Sequence, residues 1–351
     1  MTLLGKSTLA ALAVGFAVAS AAAGAQVNIA REAKPGESHL ANLRQLTQEG
    51  TQAEAYFSRD GRWITFQSTR GDHPCDLQYV MRPDGTEMRR VSPAAGKATC
   101  GWFTHDTQRL LFGTTIGVSN ACPQRPDPSK GYVWGLDPFD IYSVGRDGSD
   151  LRRITNYGVY TTEGVVSPDG KRLVFTSLKD GDLDIYTMNV DGSDVRKLTS
   201  QVGYDGGPWW SPDGKQIVYR AYHPTDPTEL KDYKDLLAQR IVRPSKMELW
   251  LMNADGTNQR QITRLGGANF GPSWTPDGKR IIFSSNYKNL RSNFDLYTVA
   301  LDGTELTQIT TDKGFDGFPM FSPDGKKLIW AAGRNARGER DINLFIADWR
   351  K

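Results

Sequence analysis

The chain has 351 residues, of which 38% are hydrophobic and 24% charged, an ordinary balance for a soluble folded domain. The formal net charge is +3, and loss of Lys6 would bring it to about +2, so charge gives no case for nucleic acid. Arginines and lysines in runs such as Val195-Arg196-Lys197-Leu198 alternate with apolar residues and are expected to face solvent.

Residues 1–25 carry Lys6 as their one charge, then an Ala/Val/Leu-rich run from about Leu9 to Ala23, then Ala23-Gly24-Ala25 before Gln26. That order predicts a secretory signal peptide, and a mature protein that is periplasmic or secreted. The run is short and alanine-rich for a membrane span, so no span is expected after cleavage. No cysteine follows the cleavage site to take a lipid. Residues 26–42 read as a polar tether.

From residue 43 onward one phrase recurs. Ser167-Pro168-Asp169-Gly170, Ser211-Pro212-Asp213-Gly214, Thr275-Pro276-Asp277-Gly278 and Ser322-Pro323-Asp324-Gly325 are near-identical, and Ser58-Arg59-Asp60-Gly61 and Thr104-His105-Asp106-Thr107 are weaker copies. The turn aspartates are spaced by 46, 63, 44, 64 and 47 residues. A strand-rich repeat of that period predicts propeller blades. Proline presets the turn, aspartate tolerates its next position and glycine accepts the left-handed conformation that closes a tight hairpin. In the repeat at 163–199 a short apolar strand, Arg172–Ser177, Asp184–Val190 and Val195–Thr199 read as four antiparallel strands. A second turn recurs at Asp84, Asp147, Asp191, Asp255 and Asp302, each followed by glycine. That is one fewer than the first turns. Leu43-Arg44-Gln45-Leu46-Thr47 matches the fourth strands Leu151–Thr155 and Leu306–Thr310, so it is expected to complete the last blade. The prediction is an all-β, six-bladed propeller over 43–351, closed by its N-terminal strand.

The two long intervals mark insertions at about 115–138 and 222–245. Prolines and glycines make the first an ordered loop. In the second, Asp226 caps a helix with Pro227 at its first position, Glu229 completes a capping box, and Leu230, Tyr233, Leu237 and Ile241 follow helical spacing up to Pro244. Antiparallel blades place both insertions on the face opposite the Pro-Asp-Gly turns. Cys75, Cys100 and Cys122 should gather there, near one blade boundary, with one disulfide, most simply Cys75–Cys122, and one thiol left over. His73 with these cysteines matches no usual zinc spacing, which leaves a metal site unassigned.

The same face should carry function. Glu54 and Glu163 lie six residues before their turn aspartates, and Asp205, Asn269 and Asp316 eight before theirs, so blade symmetry could ring them around a channel mouth. Alternatively Asp205 and Asp316, each followed by glycine, are turn formers. His73, His223, Tyr132, Trp134, Tyr204, Phe270 and Phe315 complete the candidate binding set, with the ligand expected between the 115–138 loop and the 226–241 helix.

The Ser-Pro-Asp-Gly-Lys and Asp-Gly-Ser/Thr turns, with their Leu-Thr strand endings, resemble the propeller repeats of the TolB family over about residues 43–351. The resemblance implies an exported, monomeric binding or scaffolding propeller without cofactor, whose partner is an envelope protein or peptide, as in Tol–Pal, or a small ligand or saccharide. The family's extra N-terminal α/β domain is not expected in this chain. Similar repeats also occur in peptidase gating domains and in oligogalacturonate lyases. The first of these would need a hydrolase domain and a Gly-x-Ser-x-Gly elbow, neither of which the sequence shows. The lyase alternative would need histidines clustered at the channel. Here His39 falls in the tether, His105 in a Pro-Asp-Gly-face turn, and His73 and His223 three blades apart. Binding is favoured over catalysis, and no catalytic residue is named.

Overall fold

The computed structural model describes residues 28–288, 293–334 and 341–350. The signal peptide expected over 1–25 lies outside the described residues. Among the described residues no helix is long and apolar enough to cross a membrane.

Six antiparallel sheets form six blades. Blade 1 runs Thr51–Phe57, Ile64–Thr69, Leu77–Met81 and Arg89–Arg90. Blade 2 runs Ala98–Phe103, Arg109–Thr114, Asp140–Gly145 and Arg152–Arg153. Blade 3 runs Thr161–Val166, Arg172–Ser177, Asp184–Asn189 and Arg196–Lys197. Blade 4 runs Tyr204–Trp210, Gln216–Tyr222, Glu248–Asn253 and Arg260–Gln261. Blade 5 runs Asn269–Trp274, Arg280–Ser285, Asp295–Ala300 and Thr307–Gln308. Blade 6 runs Asp316–Phe321, Lys327–Ala332 and Asn343–Trp349, and its outer strand is Leu40–Gln45. Leu40 pairs with Trp349 and Gln45 with Phe345, so the N-terminal strand closes the ring, starting three residues earlier than Leu43.

The repeated phrase builds the same hydrogen-bonded turn six times. The Ser or Thr hydroxyl donates to the turn aspartate, as from Ser167 to Asp169 at 2.6 Å, and accepts the amide five residues on, from Arg172 at 2.9 Å. The same bonds recur at Ser58, Thr104, Ser211, Thr275 and Ser322. A second clasp explains the Leu-Thr endings. Thr155, Thr199, Thr263, Thr310 and Thr47 each accept the second amide of a third strand, from Ile141, Ile185, Leu249, Leu296 and Leu344, and Ser92 does so for Gln78. Each clasp is buried, and a net contribution near 1 kcal/mol apiece is the usual scale. Between blades the core is apolar. Val218, Leu249 and Leu251 of blade 4 pack on Ile281, Phe283 and Val299 of blade 5, and the other boundaries are built the same way.

The insertions behave as elements rather than free loops. Asp226 caps the helix Pro227–Leu237, accepting from the Thr228 and Glu229 amides, and Tyr233 and Leu236 are buried. The capping box is half formed, because the Glu229 carboxylate instead accepts from Tyr222 and pairs with Lys246. The first insertion has a single 3-10 turn, Pro128–Lys130. Its Trp134–Gly135 pairs with Ile241–Val242 of the second, so the two insertions are stitched together by a small sheet.

Residues 28–42, expected as a tether, are held against blade 6. Ile29–Ala30 pairs with the closing strand. His39 stacks on Trp349 at 5.0 Å. Glu37 is buried and takes a fork of hydrogen bonds from Arg334, at 2.9 and 2.5 Å, while Arg334 also bonds Asp316 at 3.0 and 3.2 Å. Polarity misled the sequence reading: Glu37 is buried because a buried guanidinium waits for it. Burial works against the Glu37 carboxylate, but Arg334 and the Thr311 and Lys34 amides outweigh it and hold its pKa below the usual range. Glu37→Ala would leave Arg334 shared with Asp316 alone. It is expected to lower stability by about 3–5 kcal/mol, the scale for breaking a buried pair, read from denaturant unfolding. A loss below 1 kcal/mol would show that the segment does not secure the ring.

Candidate functional site

Each innermost strand pairs irregularly with its neighbour at one place: between Ala53 and Tyr56, Thr99 and Trp102, Thr162 and Val165, Gly206 and Trp209, Phe270 and Ser273, and Gly317 and Met320. At each irregularity one residue has a left-handed backbone: Glu54, Cys100, Glu163, Gly207, Gly271 and Phe318, with φ of 53°, 53°, 59°, 58°, 59° and 56°. Each stands six residues before its turn aspartate, and together they ring the axis. Four are not glycine, and that conformation costs an L-residue roughly 1–2 kcal/mol. Strain repeated at a channel is a pointer to function.

The ring is electrically uneven. Glu163 accepts from the Gly207 amide at 2.8 Å and pairs with Arg220, which also donates to the Tyr204 hydroxyl at 2.6 Å. Glycine at 207 leaves the guanidinium its place, since a Cβ there would lie 2.2 Å from an Arg220 nitrogen and push it off Glu163. Burial opposes the Glu163 charge, but Arg220 and the hydrogen bonds win and keep its pKa low. Among the described residues no cation pairs with Glu54 in this way. Burial, with the Glu163 charge adding, pushes its pKa up to about 7 even though Cys100 donates toward it. The Cys100 sulfur lies 3.6 Å from Glu54 Oε1, and burial and these two carboxylates raise the thiol pKa well above its ordinary value.

Two residues further along each strand, Tyr56, Trp102 and Trp209 meet across the axis with ring centres 4.7–5.5 Å apart. Above them a funnel of about 430 Å³ opens on the Pro-Asp-Gly face, lined from all six blades, including Pro168, Pro212, Pro276 and Pro323. Arg59 reaches across its rim to His105 at 3.2 Å and to the Pro168 carbonyl.

The opposite mouth differs from expectation. Glu54 and Glu163 do meet at the channel, but Asp205, Asn269 and Asp316 are buried two residues earlier in their strands and are engaged there. Asp205 bonds His223 at 2.9 Å, Asn269 takes the Ser285 hydroxyl at 2.6 Å, and Asp316 holds Arg334 and the Trp330 indole. A left-handed residue shifts the register, so positions six and eight before the aspartate do not form one ring. Tyr204 and Phe270 are buried as well. Trp134 packs edge-on against Phe270 and lies over the Arg220 guanidinium, and Phe270 stacks with Phe315. Tyr132 stays 66% exposed and accepts from the Trp134 indole. The gap expected between the insertions is taken up by their own pairing and packing.

Cys75 and Cys122 form the disulfide, joining loops of blades 1 and 2. Cys100 stands apart from them on the channel, not at the blade boundary. Among the described residues one group of three or more His, Cys, Asp or Glu donor atoms lies close enough to share an ion: His73, Cys75 and Cys122. Sequence reasoning missed Cys100, Arg220, Tyr56, Trp102 and Trp209 as channel residues. Counting six and four back from every turn aspartate, rather than searching for acids, would have found all but Arg220.

A family model described as the TolB beta propeller domain matches residues 135–228 and 242–342. The Tol-Pal system protein TolB of Nitratidesulfovibrio vulgaris is 42% identical over 40 residues, which span 11% of this chain and 9% of that protein. A putative TolB from Agrobacterium tumefaciens superposes with a TM-score of 0.56 at 18% identity, over 86% of this chain and 91% of that one. An oligogalacturonate lyase in complex with manganese superposes at 0.51 and 15% identity, over 93% and 98%. At these identities the likenesses speak for the fold.

For Glu54 the raised pKa fixes a sign. Its carboxyl takes up a proton on folding between its ordinary range and about 7, so its contribution is full below that range and lost as pH rises through 7. Glu54→Gln is expected to raise Tm at pH 8 and leave it nearly unchanged at pH 4. An equal shift at both pH values would assign the effect to packing instead.

Proposed function

The chain belongs to the TolB β-propeller domain family, and from that premise we propose that it is an exported, non-catalytic binding module of the cell envelope. The single observation that carries the proposal is the axial funnel, a recess built by all six blades on a rigid ring, with Tyr56, Trp102 and Trp209 as its floor. Aromatic rings and prolines offer apolar area at low entropic cost, which suits an extended protein segment. Beneath the floor the Glu163 charge is already met by Arg220, so the recess selects by apolar fit rather than by charge. The insertion face supports the same choice of mouth, since Trp134 and the buried Phe270 pack against each other there.

The test is calorimetric titration with the soluble domains of the Tol–Pal components from the same organism. The double variant Arg59→Ala/Trp102→Ala, checked for an unchanged far-ultraviolet spectrum, is expected to bind at least about 30-fold more weakly, the scale of an interface hot spot. Undiminished binding by this variant would move the site off the funnel. Release of unsaturated product from oligogalacturonate with Mn²⁺ would replace the binding reading with a lyase.

A further inference from the structure

The disulfide has an unusual neighbour. The His73 imidazole Nε2 lies 3.4 Å from the Cys75 sulfur and 3.5 Å from the Cys122 sulfur, so one ring nitrogen faces both ends of the bond. A tetrahedral zinc ion bound at about 2.3 Å from sulfur and about 2.0 Å from nitrogen places those atoms about 3.5 Å apart. Two edges of a zinc tetrahedron are therefore already present, and only the sulfur–sulfur edge is short because the sulfurs are bonded. We infer that Cys75, Cys122 and His73 form a two-state site: a disulfide when oxidised, and a Cys₂His site for Zn²⁺ or a similar thiophilic cation when reduced.

The loops that carry the donors are anchored independently of the disulfide. Gly96, at φ +59°, donates its amide to the Asn120 carbonyl at 2.7 Å, which holds the Cys122 loop beside the link into blade 2. A Cβ at Gly96 would lie 2.7 Å from the Thr115 hydroxyl, so the close approach depends on glycine. In the disulfide state the Gly96 carbonyl also accepts from His73 Nε2 at 2.8 Å, a bond that the metal would replace as the carbonyl turns aside. The Thr69 hydroxyl donates to Asp76 at 2.6 Å and steadies the strand start beside Cys75. Opening the bond asks the sulfurs to part to about 3.8 Å, a movement within reach of side-chain rotation.

The chemistry balances. A dithiol reductant gives two electrons and two protons to the Cys75–Cys122 bond and closes to its own disulfide. Zn²⁺ then displaces the two thiol protons, which leave to water. In the disulfide state the Nε2 proton is donated to Gly96 O; metal binding requires the other tautomer, with the proton on Nδ1 and the Nε2 lone pair on zinc. His73 and Cys122 are only part-buried, so water can take the fourth position.

The full-length mature protein would be reduced with dithiothreitol, freed of it anaerobically, and titrated with Zn²⁺ against a chromogenic chelator and with Co²⁺ for thiolate-to-cobalt absorption. The expected result is one Zn²⁺ per reduced chain, none per oxidised chain, and thiolate bands with Co²⁺. His73→Ala, which keeps both cysteines, is expected to weaken Zn²⁺ binding tenfold or more. The proposal is overturned if the reduced protein takes no metal or unfolds, if the oxidised form binds equally, or if His73→Ala binds as tightly as the parent.

Discussion

Each innermost strand carries one residue more than its neighbour can pair, and where that residue falls decides what faces the axis. Held left-handed, it aims its own side chain at the channel and resets the alternation for the rest of the strand. The polar ring of Glu54, Cys100 and Glu163 and the aromatic floor of Tyr56, Trp102 and Trp209 are successive consequences of that one irregularity. The turn at the strand's end is clamped by its hydroxyl and aspartate, so the bulge has a fixed distance to a fixed point. Six repetitions give a channel whose chemistry is set by substitution at two positions per blade while the scaffold stays the same.

Those same positions explain what could be read in advance. The turn phrase is local, its residues act within five positions of each other, and it was fully legible; so were the disulfide partner and the Asp226 cap, although the helix stops at Leu237 and Ile241, expected on its face, pairs in a strand. The closing strand was legible because its Leu-Thr ending repeats a pattern found elsewhere in the chain. The bulge left no such mark. It is filled by Glu, Cys, Gly or Phe, residue types with nothing in common except the conformation imposed on them. A search for acids therefore joined Glu54 and Glu163 to Asp205 and Asp316, which lie beyond the shift and turn into the protein. Glu37 and Arg334 were illegible for a different reason. Their pairing spans almost 300 positions, and each alone looks like a surface charge.

The unequal carboxylates at the axis show how neighbours set chemistry. Glu163 and Glu54 occupy equivalent positions in blades 3 and 1, yet one is held charged and the other sits near neutrality. The difference is Arg220, supplied by the second strand of blade 4, and the space Gly207 leaves for it. Symmetry of backbone thus coexists with asymmetry of charge.

The pairing of Leu40–Gln45 with Asn343–Trp349 has a consequence for how the molecule is made. The closing strand finds its partner about 300 residues later, in the third strand of blade 6. The other blades can form from contacts within some forty to sixty residues, but the ring joint waits for the last strand of blade 6. Its loop-closure cost falls on the final step. Until then two sheet edges stand open at opposite ends of a nearly finished structure, and that late intermediate, rather than the native ring, is the species most exposed to aggregation and proteolysis.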